Sequence, residues 1–316
     1  MSHQDLVGDA GERTHAAELW QAWQWLTSGR CFQGIQFRQD CTWTVQTLAF
    51  AAVLWGWSDQ RNLTDRFQDA RQIIAFLGVT QGELGCSYQA FIKLLRKWTS
   101  VLRVALTQVF RGKMRTELGS VWQTHGWCVF AADGSRINVP RTRGNEERYC
   151  PHSKLSRAAQ RRRQNSKRSK QRKKALRARQ AREAKAAVPL IWLTVLWQVG
   201  SGLPWDWRSG PADSSERADL TEMLPELPAN ALLTADAGFV GYEFWHTIQA
   251  AEKHLLVRVG GNVKLLKKLG FAKECAGSVY LWPDKAAARN QPPLILRLIV
   301  VHDGRQPLYL VTDLTS

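Results

Sequence analysis

Hydrophobic residues change their spacing once along this chain, and the change divides it. Up to about residue 118 they recur every three or four positions, the period of helices with one buried face. Thr14 to Thr27 reads as a first helix, stopped by Ser28-Gly29, and Thr42 to Trp57 as a second. Ser58-Asp59 predicts the cap of a third, in which Phe67, Ala70, Ile74 and Leu77 keep helical spacing up to Gly78. After a loop over 79–86, Ser87 opens the most regular helix. There Phe91, Leu94, Leu95, Trp98, Leu102, Ala105 and Val109 share a face, with Lys93, Arg96, Lys97 and Arg103 away from it. Trp20, Trp23, Trp25, Trp43, Trp55 and Trp57 sit among apolar neighbours and are expected in the core rather than as base-stacking platforms.

The chain leaves this region around Gly119 to Gly126, and the period then shortens. Trp127-Cys128-Val129-Phe130-Ala131-Ala132 is apolar without alternation and stops on Asp133-Gly134-Ser135; Leu232-Leu233-Thr234-Ala235 stops in the same way on Asp236-Ala237-Gly238-Phe239. Unalternating runs of this length fit strands covered on both faces, and ligands in such sheets gather where strands end. Each motif taken alone also fits a hairpin turned at Asp-Gly. Arg136 to Val139 reads as a partner strand ended by Pro140, and Val188 to Val199 as a long strand that turns at Ser201-Gly202 and returns over Leu203 to Arg208. Asp213 followed by Glu216 marks a helix start, with Leu220, Leu224 and Leu227 on the packed side and Pro225 and Pro228 closing it. Tyr242 to Ala251 is helix and His254 to Val259 strand. From Gly260 the strands are short: Val279 to Trp282, Leu294 to Val301, and Leu308 to Thr312, with His302-Asp303-Gly304-Arg305 as a turn.

At 316 residues the chain is long enough for two domains. We expect an all-α domain over 1–122 and an α/β domain over 123–316, the latter interrupted by a basic insertion at 150–187 and a β-rich one at 260–312. The net charge is +17, and Lys154 to Lys185 holds fifteen Lys and Arg against the single acid Glu183, so +14 lies in that segment and +3 on the rest. No apolar face accompanies the run, which points to nucleic acid rather than membrane. Its cations, Arg161, Arg162, Arg163, Lys167, Arg168, Lys173 and Lys174 among them, are expected to supply most of the non-specific DNA affinity. The cations of the helix after Ser87 suit phosphate contacts that add sequence-specific binding.

Six widely spaced cysteines lack the close pairs of a structural zinc site, and reduced thiols in a cytosolic protein are expected. The polar, acidic start is unlike a signal peptide, and no run approaches the roughly 18 apolar residues of a membrane span.

The residues around the two aspartates resemble those of DDE transposases of bacterial insertion sequences, in the insertion-sequence-four-like group. The resemblance rests on Asp133-Gly134-Ser135 with Asn138-Val139-Pro140-Arg141-Thr142, and on Asp236-Ala237-Gly238-Phe239 with Tyr242-Glu243-Phe244-Trp245. It implies a ribonuclease H-like core in which Asp133 and Asp236 are the first two of three acids holding two Mg²⁺ or Mn²⁺ ions. Asp133 would bridge them and Asp236 would help hold one. Hard oxygen ligands suit such ions. It also implies double-stranded DNA partners, both element ends and target, a homodimer on DNA, and a bacterial, nucleoid-associated setting. The family's third acid lies in a tyrosine, two residues, arginine, three residues, glutamate pattern, which this chain lacks, so the core is expected to be incomplete. Asp303 and Asp313 fall at turns or strand ends and make poor substitutes. Two functions follow: a transposase that binds, cleaves and joins DNA, truncated before its glutamate, or a catalytically silent DNA-binding relative that regulates transposition. A basic RNA-binding protein is a third reading, which leaves the paired Asp strands unexplained.

Overall fold

The computed structural model describes residues 10–28, 31–78, 84–150, 188–259, 270–302, 304 and 307–314. Two compact units divide at Gly119/Ser120, three residues before the expected boundary.

Among its described residues the first unit is helical: α1 (Ala10–Leu26), α2 (Val45–Trp57), α3 (Leu63–Phe76) and α4 (Tyr88–Glu117). Thr44 starts α2 through a capping box with Thr47, and Ser87 starts α4 by accepting from the Ala90 amide, so in both cases a hydroxyl satisfies an amide that the helix cannot. α3 departs from expectation. It begins four residues after Asp59, with Asn62 at its N-cap, because Ser58 instead ends α2 and donates its hydroxyl to Asp69 Oδ2 at 2.7 Å. Phe50, Phe67 and Phe91 are fully buried at the centre, and the Phe67 and Phe91 rings lie 4.9 Å apart. Trp23 and Trp43 join this core, but Trp25 and Trp57 are 51% and 68% exposed, so the expectation that all six tryptophans are core fails for these two. The Lys113 ammonium stacks over the Trp25 ring at 4.1 Å, a use of the ring face that needs no burial.

The second unit is built on one nine-stranded sheet in the order β3-β2-β1-β4-β5-β9-β8-β7-β6. Its strands are β1 (Cys128–Asn138), β2 (Leu190–Gln198), β3 (Leu203–Pro211), β4 (Ala231–Ala235), β5 (His254–Val259), β6 (Phe271–Cys275), β7 (Ser278–Trp282), β8 (Leu294–His302) and β9 (Pro307–Thr312). β1, β4 and β5 run parallel at the middle and every other pairing is antiparallel. β1 corrects the sequence reading: it runs straight through Asp133-Gly134, so Arg136 to Asn138 prolong it rather than pair with it. The partner along that stretch is β2, from Phe130 opposite Gln198 to Asn138 opposite Leu190. Its unbroken ladder also excludes the hairpin. The β-rich stretch expected over 260–312 supplies β6 to β9, of which β6 has no counterpart in the sequence reading, and β9 joins them to β5 in the same sheet.

Among the described residues three α-helices accompany these strands: α5 (Arg143–Tyr149), α6 (Glu216–Met223) and α7 (Tyr242–Ala250). α5 lies just before the basic insertion, where no element was expected. α6 packs on β1, β2 and β3, buries Leu220 and Met223, and is tied down by the Thr194 hydroxyl, which donates to Asp219 Oδ2 at 2.6 Å. Ser215, not Asp213, caps it. Phe130, Leu196 and Trp205 form the buried centre here, with the Phe130 and Trp205 rings 5.3 Å apart.

Candidate active site

Strand register brings the two aspartates level. β1 and β4 are parallel neighbours with Ala131 opposite Thr234, and Asp133 and Asp236 each follow two residues later. Residues two apart on a strand share a face, so both acids leave the same edge of the sheet where β4 stops. Both are exposed. Asp133 Oδ1 accepts from the Gly134 amide at 2.8 Å, and Asp236 Oδ1 from the Gly238 amide at 2.8 Å, which caps the single 3₁₀ turn Ala237–Phe239. Those local bonds orient each carboxylate and leave the other oxygen of each, Oδ2, outside them.

A third carboxylate, which the sequence marks only as a helix-start residue, stands beside them. Glu216 opens α6 and lies against the β1 backbone at Gly134: a Cβ there would collide with Glu216 Oε1. Its Oε2 is 3.7 Å from where a Cβ on Gly238 would stand, an ordinary contact distance, so the side chain also reaches toward the turn after Asp236, and Gly134 is what makes room for it. Partial burial raises the Glu216 pKa above the usual carboxylate range, and the negative charges of Asp236 and then Asp133 raise it further, against the opposing pull of Arg136 and Arg217. Three like charges thus converge with two cations at the margin. Arg136 is held over the ring of its cross-strand partner Trp192 at 4.7 Å, and Arg217 Nε donates to the Gly238 carbonyl at 3.0 Å.

Asp313, the described one of the two other acids near strand ends, separates from this group. Asp313 accepts from the Leu255 amide at 2.8 Å and pairs with His254 Nδ1 at 2.9 Å. His254 is level with Leu232, four residues before Asp236, so this pair occupies the opposite end of the parallel strands. Asp303 lies outside the described residues. Among the described residues no group of three or more His, Cys, Asp or Glu side chains stands close enough together to hold a metal ion as placed. The donor chemistry of the carboxylates suits Mg²⁺ or Mn²⁺, and the room left by Gly134 lets Glu216 approach the aspartates.

In the first unit, Lys93, Arg96, Lys97 and Arg103 are all on α4, with Phe91 and Leu102 of the same helix buried. Lys93, Arg96, Lys97 and Arg103 are all exposed. Arg161, Arg162, Arg163, Lys167, Arg168, Lys173 and Lys174 lie outside the described residues. The described cysteines are free thiols. No helix among the described residues is long and apolar enough to cross a membrane.

No protein-family model matches the chain, and no curated protein does. Among solved structures it is similar to the piggyBac transposase synaptic complex with hairpin DNA, at 10% identity and a TM-score of 0.34, over 93% of this chain. The chain spans 57% of the length of that protein.

Proposed function

We propose that residues 120–316 break and rejoin DNA in a divalent-metal-dependent reaction of the transposition type, and that the β3-β2-β1-β4-β5 half of the sheet with α6 and α7 is a ribonuclease H-like core. The observation that carries this is the level placement of Asp133 and Asp236 on neighbouring parallel strands, with Glu216 approaching both. Carboxylates packed together repel unless a cation neutralises them, so such a set favours metal binding over stability. Asp133, Asp236 and Glu216 would hold Mg²⁺ or Mn²⁺. When bound, a pair of such ions activates the attacking oxygen and stabilises the leaving one in phosphodiester displacement. Glu216 would supply the third carboxylate from inside the chain, in place of the glutamate that the family resemblance puts further on. Arg136 and Arg217 flank the acids and suit the phosphates of the strand being cut. The cations of α4 would hold the double-stranded DNA ends, and the segment Lys154 to Lys185 would add affinity without sequence preference.

Nicking of supercoiled plasmid in Mg²⁺ or Mn²⁺ tests the reading. Wild-type chain is expected to nick, and Asp133→Ala or Asp236→Ala to abolish it. The lack of a preformed three-ligand cage among the described residues favours a second reading, a DNA-binding protein without catalysis. DNA binding with no nicking in either metal would select it.

A further inference from the structure

Beside the carboxylates, α6 and α7 border an open cleft of about 470 Å³, within the size range of small-ligand sites. It opens next to the acids because Arg217, which lines it, directly follows Glu216 on α6. Its walls differ in chemistry. Phe244 and Pro283 give it an apolar side, on which Phe244 is only 7% exposed, and Arg217 gives it a cation. The bond from Arg217 Nε to the Gly238 carbonyl fixes the guanidinium plane, and Nη1 lies 3.3 Å from where a Cβ on Gly241 would stand. Gly241 is the N-cap of α7 and offers no side-chain acceptor to the first-turn amides. The guanidinium therefore shares its end of the cleft with the positive end of a helix, and the two together favour an anion. The Thr221 and Thr247 hydroxyls already donate to carbonyls of their own helices, at 2.7 and 2.8 Å, so they do not compete as donors. Glu243 also lines the cleft; it and Arg217 are both exposed and screened alike by solvent, but the bond to the Gly238 carbonyl holds Arg217 in place. A cation at one end and an apolar wall at the other match a phosphate joined to a sugar.

We propose that this cleft holds the deoxynucleotide next to the phosphodiester on which the three carboxylates act, with Arg217 as the positioning residue for its phosphate; the assignment of that neighbouring phosphodiester rests on the reading of the acids given above. The cleft is absent from the sequence-level picture because its walls come from three separate segments, residues 217–221, 241–247 and Pro283.

Calorimetric titration of the full chain with thymidine 3′,5′-bisphosphate, without divalent metal and with thymidine as the phosphate-free control, tests it. A bisphosphate gains little from the basic segment, whose affinity depends on many phosphates at once. Wild type is expected to bind the bisphosphate and not thymidine. Arg217→Gln keeps a donor for Gly238 but loses the charge, and should weaken binding about tenfold, the scale of one charge-assisted hydrogen bond. Gly241→Ala adds a methyl beside the guanidinium in backbone that any residue adopts, and should weaken binding a few-fold while leaving the thermal midpoint of the chain in place. Affinity unchanged in both variants, or no bisphosphate binding by wild type, overturns the proposal. Added Mg²⁺ tests the underlying reading separately. A metal-dependent gain in affinity that Asp236→Asn removes upholds it. No such gain, with the metal-free affinity and its Arg217 dependence intact, would leave a phosphate-binding cleft and remove the metal site beside it.

Discussion

The two units place charge in opposite ways. On α4, Arg96, Lys97 and Arg103 point into water from a helix whose other face is locked by Phe91 and Leu102, so each is solvated and none pushes on its neighbour strongly. Where β4 stops, backbone register brings Asp236 level with Asp133 of β1, and the room at Gly134 lets the Glu216 side chain approach them. An exposed charge stripe is cheap and therefore says little about function. A packed set of like charges opposes folding and has to be maintained by something else, which is why the second unit is the more informative.

The largest expected effect tests that contrast directly. Asp133→Ala or Asp236→Ala should lower metal-dependent nicking on the order of a thousandfold, since metal-mediated charge stabilisation contributes several kcal/mol, with plasmid binding retained in a gel-shift assay. Equal damage on removing α4 cations would erase the distinction between the units. Replacing Lys93, Arg96, Lys97 and Arg103 together by alanine should weaken DNA binding by a few kcal/mol at most and reduce the slope of log affinity against log salt by about 0.9 for each phosphate that is no longer neutralised. A slope that does not move would mean that these side chains face no phosphate. Gly134→Ala should cost about 1 kcal/mol of stability at most, because the added methyl meets only the flexible, half-exposed Glu216 side chain, which can swing aside, and nicking should fall as Glu216 is displaced. Nicking at the wild-type rate in this variant would show that Glu216 does not need its place beside Gly134. The smallest effect is a pH dependence. The Glu216 pKa is raised by folding, so its stabilising contribution is complete below the ordinary carboxylate range and is lost as pH rises through the raised value. Glu216→Gln should therefore match wild type in acid and exceed it at neutral pH in metal-free buffer, by less than about 1 kcal/mol given solvent screening. Thermal midpoints across that range that favour the wild type at neutral pH would contradict the repulsion.

Asp133 and Asp236 were legible because an apolar run without alternation that stops at an acid is uncommon, and the residues after each stop repeated a known pattern. Glu216 was not legible as a member of the same site. An acid in the first turn of a helix is the ordinary complement to the helix dipole, and only packing of α6 against β1 turns it toward the aspartates. The straight run of β1 was hidden for a related reason: Asp-Gly favours turns locally, but nine consecutive pairings with β2 override that preference. β6 gave no signal because Phe271–Cys275 has lysine, glutamate and cysteine where apolar residues would mark a strand. The strands after residue 270 were mostly visible one by one, yet nothing in a short strand states its partner, and the pairing of β9 with β5 joins segments some fifty residues apart.

Among the described residues the sheet does not close, and its two rims are the outer strands β3 and β6. Each rim exposes amides and carbonyls that a strand from another molecule could extend, which is a route to aggregation. β3 carries Pro204 and Pro211, which lack the donor such a strand would need, and its pairing with β2 slips at Leu196/Trp197, which bends the ladder. β6 is only five residues long and carries Lys273 and Glu274 on exposed positions. Replacing Pro204 by valine would supply the missing donor on one rim, and self-association should rise at high protein concentration even though the buried core is unaltered.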